Sequence, residues 1–206
     1  MRFKKEELLP LADICDTGPD HPCYEILDPE ERIVFIRDLI DESLKDLFAQ
    51  LIGWAREDYE CPESVPVKFL IDSMGGDAYA ARSLIDLMHT LPLTFITVNM
   101  GNCYSAAFYI FVAGDKRYTM PNGSFLVHDG TVNTDGVASK AMSAIAFIKS
   151  LDSRINDEVA SRTKISPRMI ETKGPSDWYF FSDEALDLGV AHEQIDNLVE
   201  VLYSYN

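Results

Sequence analysis

VKFLIDSMGGDAYAARSLIDLMHT, residues 67–90, changes character halfway along. Residues 67–71 are a short run, apolar apart from Lys68, of the length and composition of a buried strand. Residues 77–90 read as a helix with small residues on its first turns. The link is Ser73-Met74-Gly75-Gly76, a glycine turn. A buried strand that feeds a helix through so short a link is half of a crossover, and crossovers are what parallel strands require.

The same alternation continues on both sides. Residues 32–36 (RIVFI) are another strand, and residues 41–58 place Leu44, Leu47, Phe48, Leu51, Ile52 and Trp54 at helical spacing. Beyond the opening stretch, residues 93–100 (LTFITVNM) read as a strand and 105–112 as a compact apolar helix. Residues 116–120 and 124–128 read as short strands, 137–162 as a long helix and 183–188 as a further helix. The pattern predicts an α/β fold with a largely parallel, buried sheet. Residues 1–30 carry Pro10, Gly18, Pro19, Pro22 and Pro29 without a sustained period and read as an irregular arm. Residues 31–206 are expected to form a single domain.

Eighteen basic against thirty-four acidic residues give the 206-residue chain a net charge of −16. Such a surface repels phosphate backbones and anionic headgroups, so neither nucleic acid nor membrane is an expected partner. No run approaches the length of a membrane span, and residues 1–13 are basic without the apolar core of a secretory signal. Cys15, Cys23, Cys61 and Cys103 lack the paired spacing of a metal site, and no histidine cluster accompanies them. The expectation is a cytoplasmic protein with reduced thiols and neither metal nor cofactor.

Ligands of parallel sheets collect at the carboxyl ends of the strands. Two candidate stretches end strands here, Ser73 to Gly76 and Gly101 to Ser105. Taken singly, their residues have ordinary readings. Gly75 and Gly76 are a strand-to-helix turn, Ser105 an N-cap, His128 a structural residue at a strand end, and Asp177 a cap for the helix after it. Taken together, they are one candidate for each part of an acyl-transfer site. A serine hydroxyl needs a base, the base needs a carboxylate, and a developing oxyanion needs prepositioned N–H groups. The order Ser, His, Asp and the absence of a G-x-S-x-G motif leave the spacing alone undecided.

The segments around these residues resemble the ClpP family, the proteolytic subunits of the Clp protease, over about residues 31–199. SMGGDAYAARSLIDLM is similar to the family's SPGG turn and following helix, and MGNCYSAAF to MGQAASMGAF, whose serine is the nucleophile. MPNGSFLVHDG resembles LPNSRVMIHQP, which carries the catalytic histidine. SDWYFFSDEALDLGV resembles RDRFLSAPEAVEYGL, whose aspartate completes the triad. The resemblance implies a crotonase-like fold with repeated ββα-type units, and a projecting handle formed by the long helix. It implies a triad of Ser105, His128 and Asp177, with backbone N–H groups of Gly76 and Ala106 as the oxyanion hole. It also implies cleavage of unfolded polypeptides inside a homo-oligomeric, heptameric ring, with an AAA+ unfoldase as partner.

Several positions depart from the family pattern. Met74 replaces the turn proline, and Ser176 replaces an arginine used between stacked rings. Asp129-Gly130-Thr131-Val132 replaces a glycine-rich strand at the same ring interface, which bears on stacking. Lys68 and Leu70 replace aromatic residues of the ATPase docking pocket, and Cys103 and Tyr104 stand where the family has small residues. Two other functions remain open at this point. One is a structural or regulatory ring subunit with a misaligned triad. The other is a crotonase-type acyl-CoA enzyme, which shares the oxyanion hole but needs neither Ser105 nor His128.

Overall fold

A computed structural model describes residues 21–60, 65–130 and 137–203. Its strands are β1 (Tyr24–Asp28), β2 (Ile33–Ile40), β3 (Val67–Gly76), β4 (Phe95–Tyr104), β5 (Lys116–Thr119), β6 (Ser124–Val127), β7 (Trp178–Phe181) and β8 (Glu193–Gln194). The helices are α1 (Leu47–Glu60), α2 (Ala78–Thr90), α3 (Ala106–Ala113), α4 (Ala138–Arg162), α5 (Pro167–Lys173), α6 (Ser182–Asp187) and α7 (Leu198–Tyr203). The strands form one sheet in the order β1-β2-β3-β4-β5-β8, and β6 pairs with both β4 and β7. Only β1–β2 and β6–β7 are antiparallel among the described pairs. A mostly parallel α/β sheet is therefore what the alternating pattern produces.

Residues of β3 show why the sheet is buried on both faces. Val67, Phe69 and Ile71 point into the larger core, where α1, α2 and α3 cover the sheet. Leu70 points the other way, with Ile33, Ile96 and Val98, beneath Ile195 and Leu202. Alternating side chains on one apolar run thus serve two cores. Lys68 lies on the face of Leu70 and is 1% exposed. Its ammonium donates to the Glu31 carbonyl at 2.8 Å and lies 3.7 Å from the Glu31 carboxylate. Burial lowers its pKa, and Glu31 opposes that shift.

Several boundaries differ from expectation. Tyr24–Asp28 is a strand inside the stretch read as an irregular arm, because it pairs with β2 at the sheet edge. Residues 1–20 of that arm lie outside the described residues. The helix expected at residues 41–58 begins instead with a 3-10 turn, Glu42–Asp46, capped by Asp41, before α1 starts. Neither α5 nor β7 was expected. Ser166 caps α5 and Pro167 opens it. In β7 the residues alternate between buried and exposed.

Helix α4 is long and largely uncovered. Val159, near its C-terminus, is its buried residue, whereas Met142 and Phe147 are 71% and 59% exposed. Among the described residues, no helix is long and apolar enough to cross a membrane.

Candidate active site

Strand register brings the candidate residues together. Strand β4 runs parallel to β6 with Tyr104 opposite Leu126, and Ser105 is the residue after Tyr104. Strand β6 runs antiparallel to β7 with Val127 opposite Trp178. One step further along each strand stand His128 and Asp177. Three neighbouring strands therefore end together, and each end carries one polar residue. His128 Nδ1 lies 3.3 Å from Asp177 Oδ1.

The packing that holds these ends in place is aromatic. Phe125 of β6 stacks on Phe180 of β7, with ring centroids 5.4 Å apart, and meets Phe111 of α3 edge-on at 5.1 Å. Phe108 of α3 meets both Phe125 and Phe180 edge-on. One cluster thus joins the helix that follows Ser105 to the strands that carry His128 and Asp177.

Ser105 does not cap α3 with its side chain, contrary to its simplest sequence reading. It occupies the N-cap position with φ 52° and ψ −121°, and its side chain makes no capping hydrogen bond. Positive φ is costly for a residue with a Cβ and persists only where the surroundings impose it. Here they do, because Ser105 N–H donates to the Leu126 carbonyl at 2.9 Å and the Ser105 carbonyl accepts from Phe108 N–H at 3.0 Å. Asp177 also has positive φ, 52°, and its N–H donates to the Gly174 carbonyl. It does not cap the helix after it, α6; it closes the 3-10 turn Gly174–Ser176 and immediately precedes β7. Among the described residues, no hydrogen bond joins Ser105 Oγ to His128; the contact that forms is the one between His128 and Asp177.

The glycine turn lies against the serine. A Cβ at Gly75, where φ is +89°, would lie 2.5 Å from the Tyr104 carbonyl oxygen, 2.7 Å from Ser105 Cβ and 3.0 Å from Ala106 N. Gly76, at φ +143°, is opposite Ile40 in the ladder, and a Cβ there would collide with the Ile40 backbone. The turn can therefore approach the first turn of α3 only without side chains. The Ala106 N–H belongs to the first turn of α3, whose donors have no partner within the helix. Gly75→Ala is expected to lower turnover at this site by about 100-fold, since about 1 Å of displacement at a reacting centre has that effect. A steady-state rate equal to wild type would show that the turn and the serine do not need this close approach.

Two further residues beside Ser105 are resolved in role. Cys103 is fully buried, and burial, with Asp72 nearby, holds its thiol well above the usual cysteine range. It is a packing residue. Tyr104 joins a polar network that its sequence context did not signal, described below. Cys23 is the other buried free cysteine among the described residues, and Cys15 and Cys61 lie outside them. No group of three or more His, Cys, Asp or Glu able to hold a metal occurs among the described residues.

Residues 22–198 match the family model for Clp protease. The chain belongs to the Clp protease family. It is similar to ATP-dependent Clp protease proteolytic subunit 2 of Tropheryma whipplei, with 29% identity over 163 residues, 78% of this chain and 88% of the relative. The proteolytic subunit of Paracoccus denitrificans is 26% identical over 172 residues, covering 82% of this chain and 84% of its own. Proteolytic subunit 1 of Streptomyces avermitilis is 25% identical over 201 residues, covering 94% and 90%. The match spans every strand and helix that positions Ser105, His128 and Asp177.

Proposed function

We propose that this Clp protease family chain is a serine endopeptidase that cleaves unfolded polypeptides. The observation that carries the reading is the shared end of β4, β6 and β7, where Ser105, His128 and Asp177 follow one another across the sheet. With Nδ1 turned toward Asp177, His128 keeps Nε2 for the serine proton. Ser105 Oγ attacks the peptide carbonyl as His128 takes its proton, and the imidazolium then protonates the leaving amine. Asp177 holds the ring and stabilises its charge. The N–H groups of Gly76 and Ala106 receive the oxyanion. Water repeats the sequence on the acyl-enzyme and frees the serine.

The exposed apolar residues of α4, Met142 and Phe147 among them, fit a handle that is covered by another subunit. On this reading the relatives' assembly as proteolytic subunits extends to this chain. A homo-oligomeric, heptameric ring encloses the site, residues 31–206 act as one protease domain, and an AAA+ unfoldase delivers substrate.

The absence, among the described residues, of a hydrogen bond between Ser105 Oγ and His128 favours one second reading, a ring subunit whose triad closes only when a partner ring docks. Apo catalytic contacts are commonly looser than those in the reacting complex. Fluorophosphonate labelling of the purified protein, with its mass in solution measured in the same sample, tests both. Label on wild type and none on Ser105→Ala is the expected result, on an assembly several times the 23.2 kDa chain. Equal label on Ser105→Ala would end the peptidase reading, and label only after a partner ring is added would favour the second.

A further inference from the structure

The strands that lead into the site are crossed by a line of hydrogen bonds. Asp72 Oδ1 on β3 accepts from the Asn102 backbone N–H at 3.0 Å and from Asn102 Nδ2 at 2.9 Å. Asn102, on β4, presents its Oδ1 to the Ser124 hydroxyl of β6 at 3.1 Å. Ser124 Oγ also reaches the Gly101 carbonyl at 3.2 Å and lies 2.9 Å from the Tyr104 hydroxyl. A serine has a single proton to give. With that proton directed at Asn102 or Gly101, Ser124 accepts from Tyr104. When Asn102 is the acceptor, donation runs one way, from Tyr104 through Ser124 and Asn102 to the Asp72 carboxylate, an arrangement in which each bond polarises the next. The Tyr104 ring continues the line by meeting Tyr179 of β7 edge-on, 5.7 Å between centroids.

The line touches β3, β4, β6 and β7, and each of these strands leads directly into one part of the site. Gly75 and Gly76 end β3, Ser105 follows β4, His128 follows β6 and Asp177 precedes β7. Ser105 and Asp177 hold positive φ, which lasts only where neighbours over-determine it. Tyr104 is the residue bonded to Ser105, and Tyr179 is two residues from Asp177.

We propose that Asp72, Asn102, Ser124 and Tyr104, with the Tyr179 ring, are positioning residues that hold the four strand ends in reacting register. This rests on the serine-peptidase reading and adds residues that act through the triad without touching substrate. Their contribution falls on the rate of acylation and leaves substrate binding unchanged.

The test is the rate of fluorophosphonate labelling, together with kcat and KM for a fluorogenic peptide, on the purified full chain. Tyr104→Phe removes only the hydroxyl. It is expected to lower the labelling rate and kcat together by about 10- to 100-fold, with KM within about twofold of wild type. Ser124→Ala should do the same, and the double variant should be no worse than either single, since both break one chain. Tyr118→Phe, on β5 outside the line, should match wild type. Labelling of Tyr104→Phe at the wild-type rate would overturn the proposal, as would a loss fully shared by Tyr118→Phe. Absence of label at Ser105 in the wild type would take down the peptidase reading and this proposal together, so the two failures are told apart.

Discussion

His128→Ala is expected to slow peptide hydrolysis by about 10⁴-fold or more, the scale on which triad members act. A serine at its own pKa is almost entirely protonated, and neither of the two residues before Ser105 takes the proton in place of His128. The Tyr104 hydroxyl is engaged with Ser124 Oγ at 2.9 Å, and burial keeps Cys103 neutral. Asp177→Ala should be milder, by roughly 10- to 100-fold, because the histidine can still act when its orientation is looser. The geometry agrees with that ranking. Asp177 is 57% exposed on its side chain and its contact with His128 is 3.3 Å, so water screens part of the attraction. The double variant should be no slower than His128→Ala alone, since Asp177 acts only through the ring. Peptide hydrolysis by the three variants, at equal assembly mass, checks the ranking. Wild-type turnover in His128→Ala would remove the general base from the mechanism, and wild-type turnover in Asp177→Ala would reduce the triad to a pair.

How far these residues were legible in the sequence depended on what surrounds each one. Strands β2 and β3 were plain because both of their faces are buried, so almost every position in RIVFI and VKFLI is apolar. The turn after β3 was plain because only glycines tolerate the collision with Ile40 and the approach to Ser105. The end of β4 was not. Gly101 and Asn102 look like loop residues, yet they continue the strand because Asp72, Ser124 and the β6 ladder absorb their polar groups. Strand β7 was hidden for the opposite reason. Its solvent-side positions are Tyr179 and Phe181, so WYFF shows no alternation of apolar and polar residues although its burial alternates. Asp177 accordingly reads as lying before a helix, whereas it immediately precedes a strand. The positive φ of Ser105 has no local signature at all, since it is imposed by Leu126, a residue twenty-one positions away. Family resemblance supplied the roles that local chemistry left open, and register then placed their residues side by side.

Arg117→Met is expected to destabilise the fold by at least about 3 kcal/mol, which for a chain of this size lowers the thermal midpoint by roughly 6–12 °C. Arg117 is 3% exposed and is the second residue of β5, and among the described residues no carboxylate forms an ion pair with its guanidinium. It donates instead to five backbone carbonyls: Val190 at 2.7 Å, Arg162 at 2.9 Å, Gly189 at 3.0 Å, Gly114 at 3.2 Å and Val112 at 3.5 Å. These carbonyls terminate or follow three helices, α3, α4 and α6. Helix C-termini present unpaired carbonyls and partial negative charge, so one buried cation satisfies three ends at once. Burial, with Arg162 nearby, lowers its pKa to about 10, which still leaves the cation intact at neutral pH. Methionine fills much of the space but leaves all five acceptors without that donor, and buried carbonyls left unpaired are where the loss arises. Arg117→Lys should recover only part of it, since one ammonium has three donors and cannot span three helix ends as a planar fork does. Urea unfolding at fixed protein concentration measures the difference, and an unchanged m value would place it in the folded state. A loss below about 1 kcal/mol in Arg117→Met would mean that water replaces the guanidinium at these carbonyls, contrary to the burial seen here. The same variant bears on the site from a distance, because α3 begins at Ser105 and ends at Arg117's carbonyls. Loosening that end should lower peptide turnover together with stability, whereas Tyr104→Phe should lower turnover with the thermal midpoint unchanged.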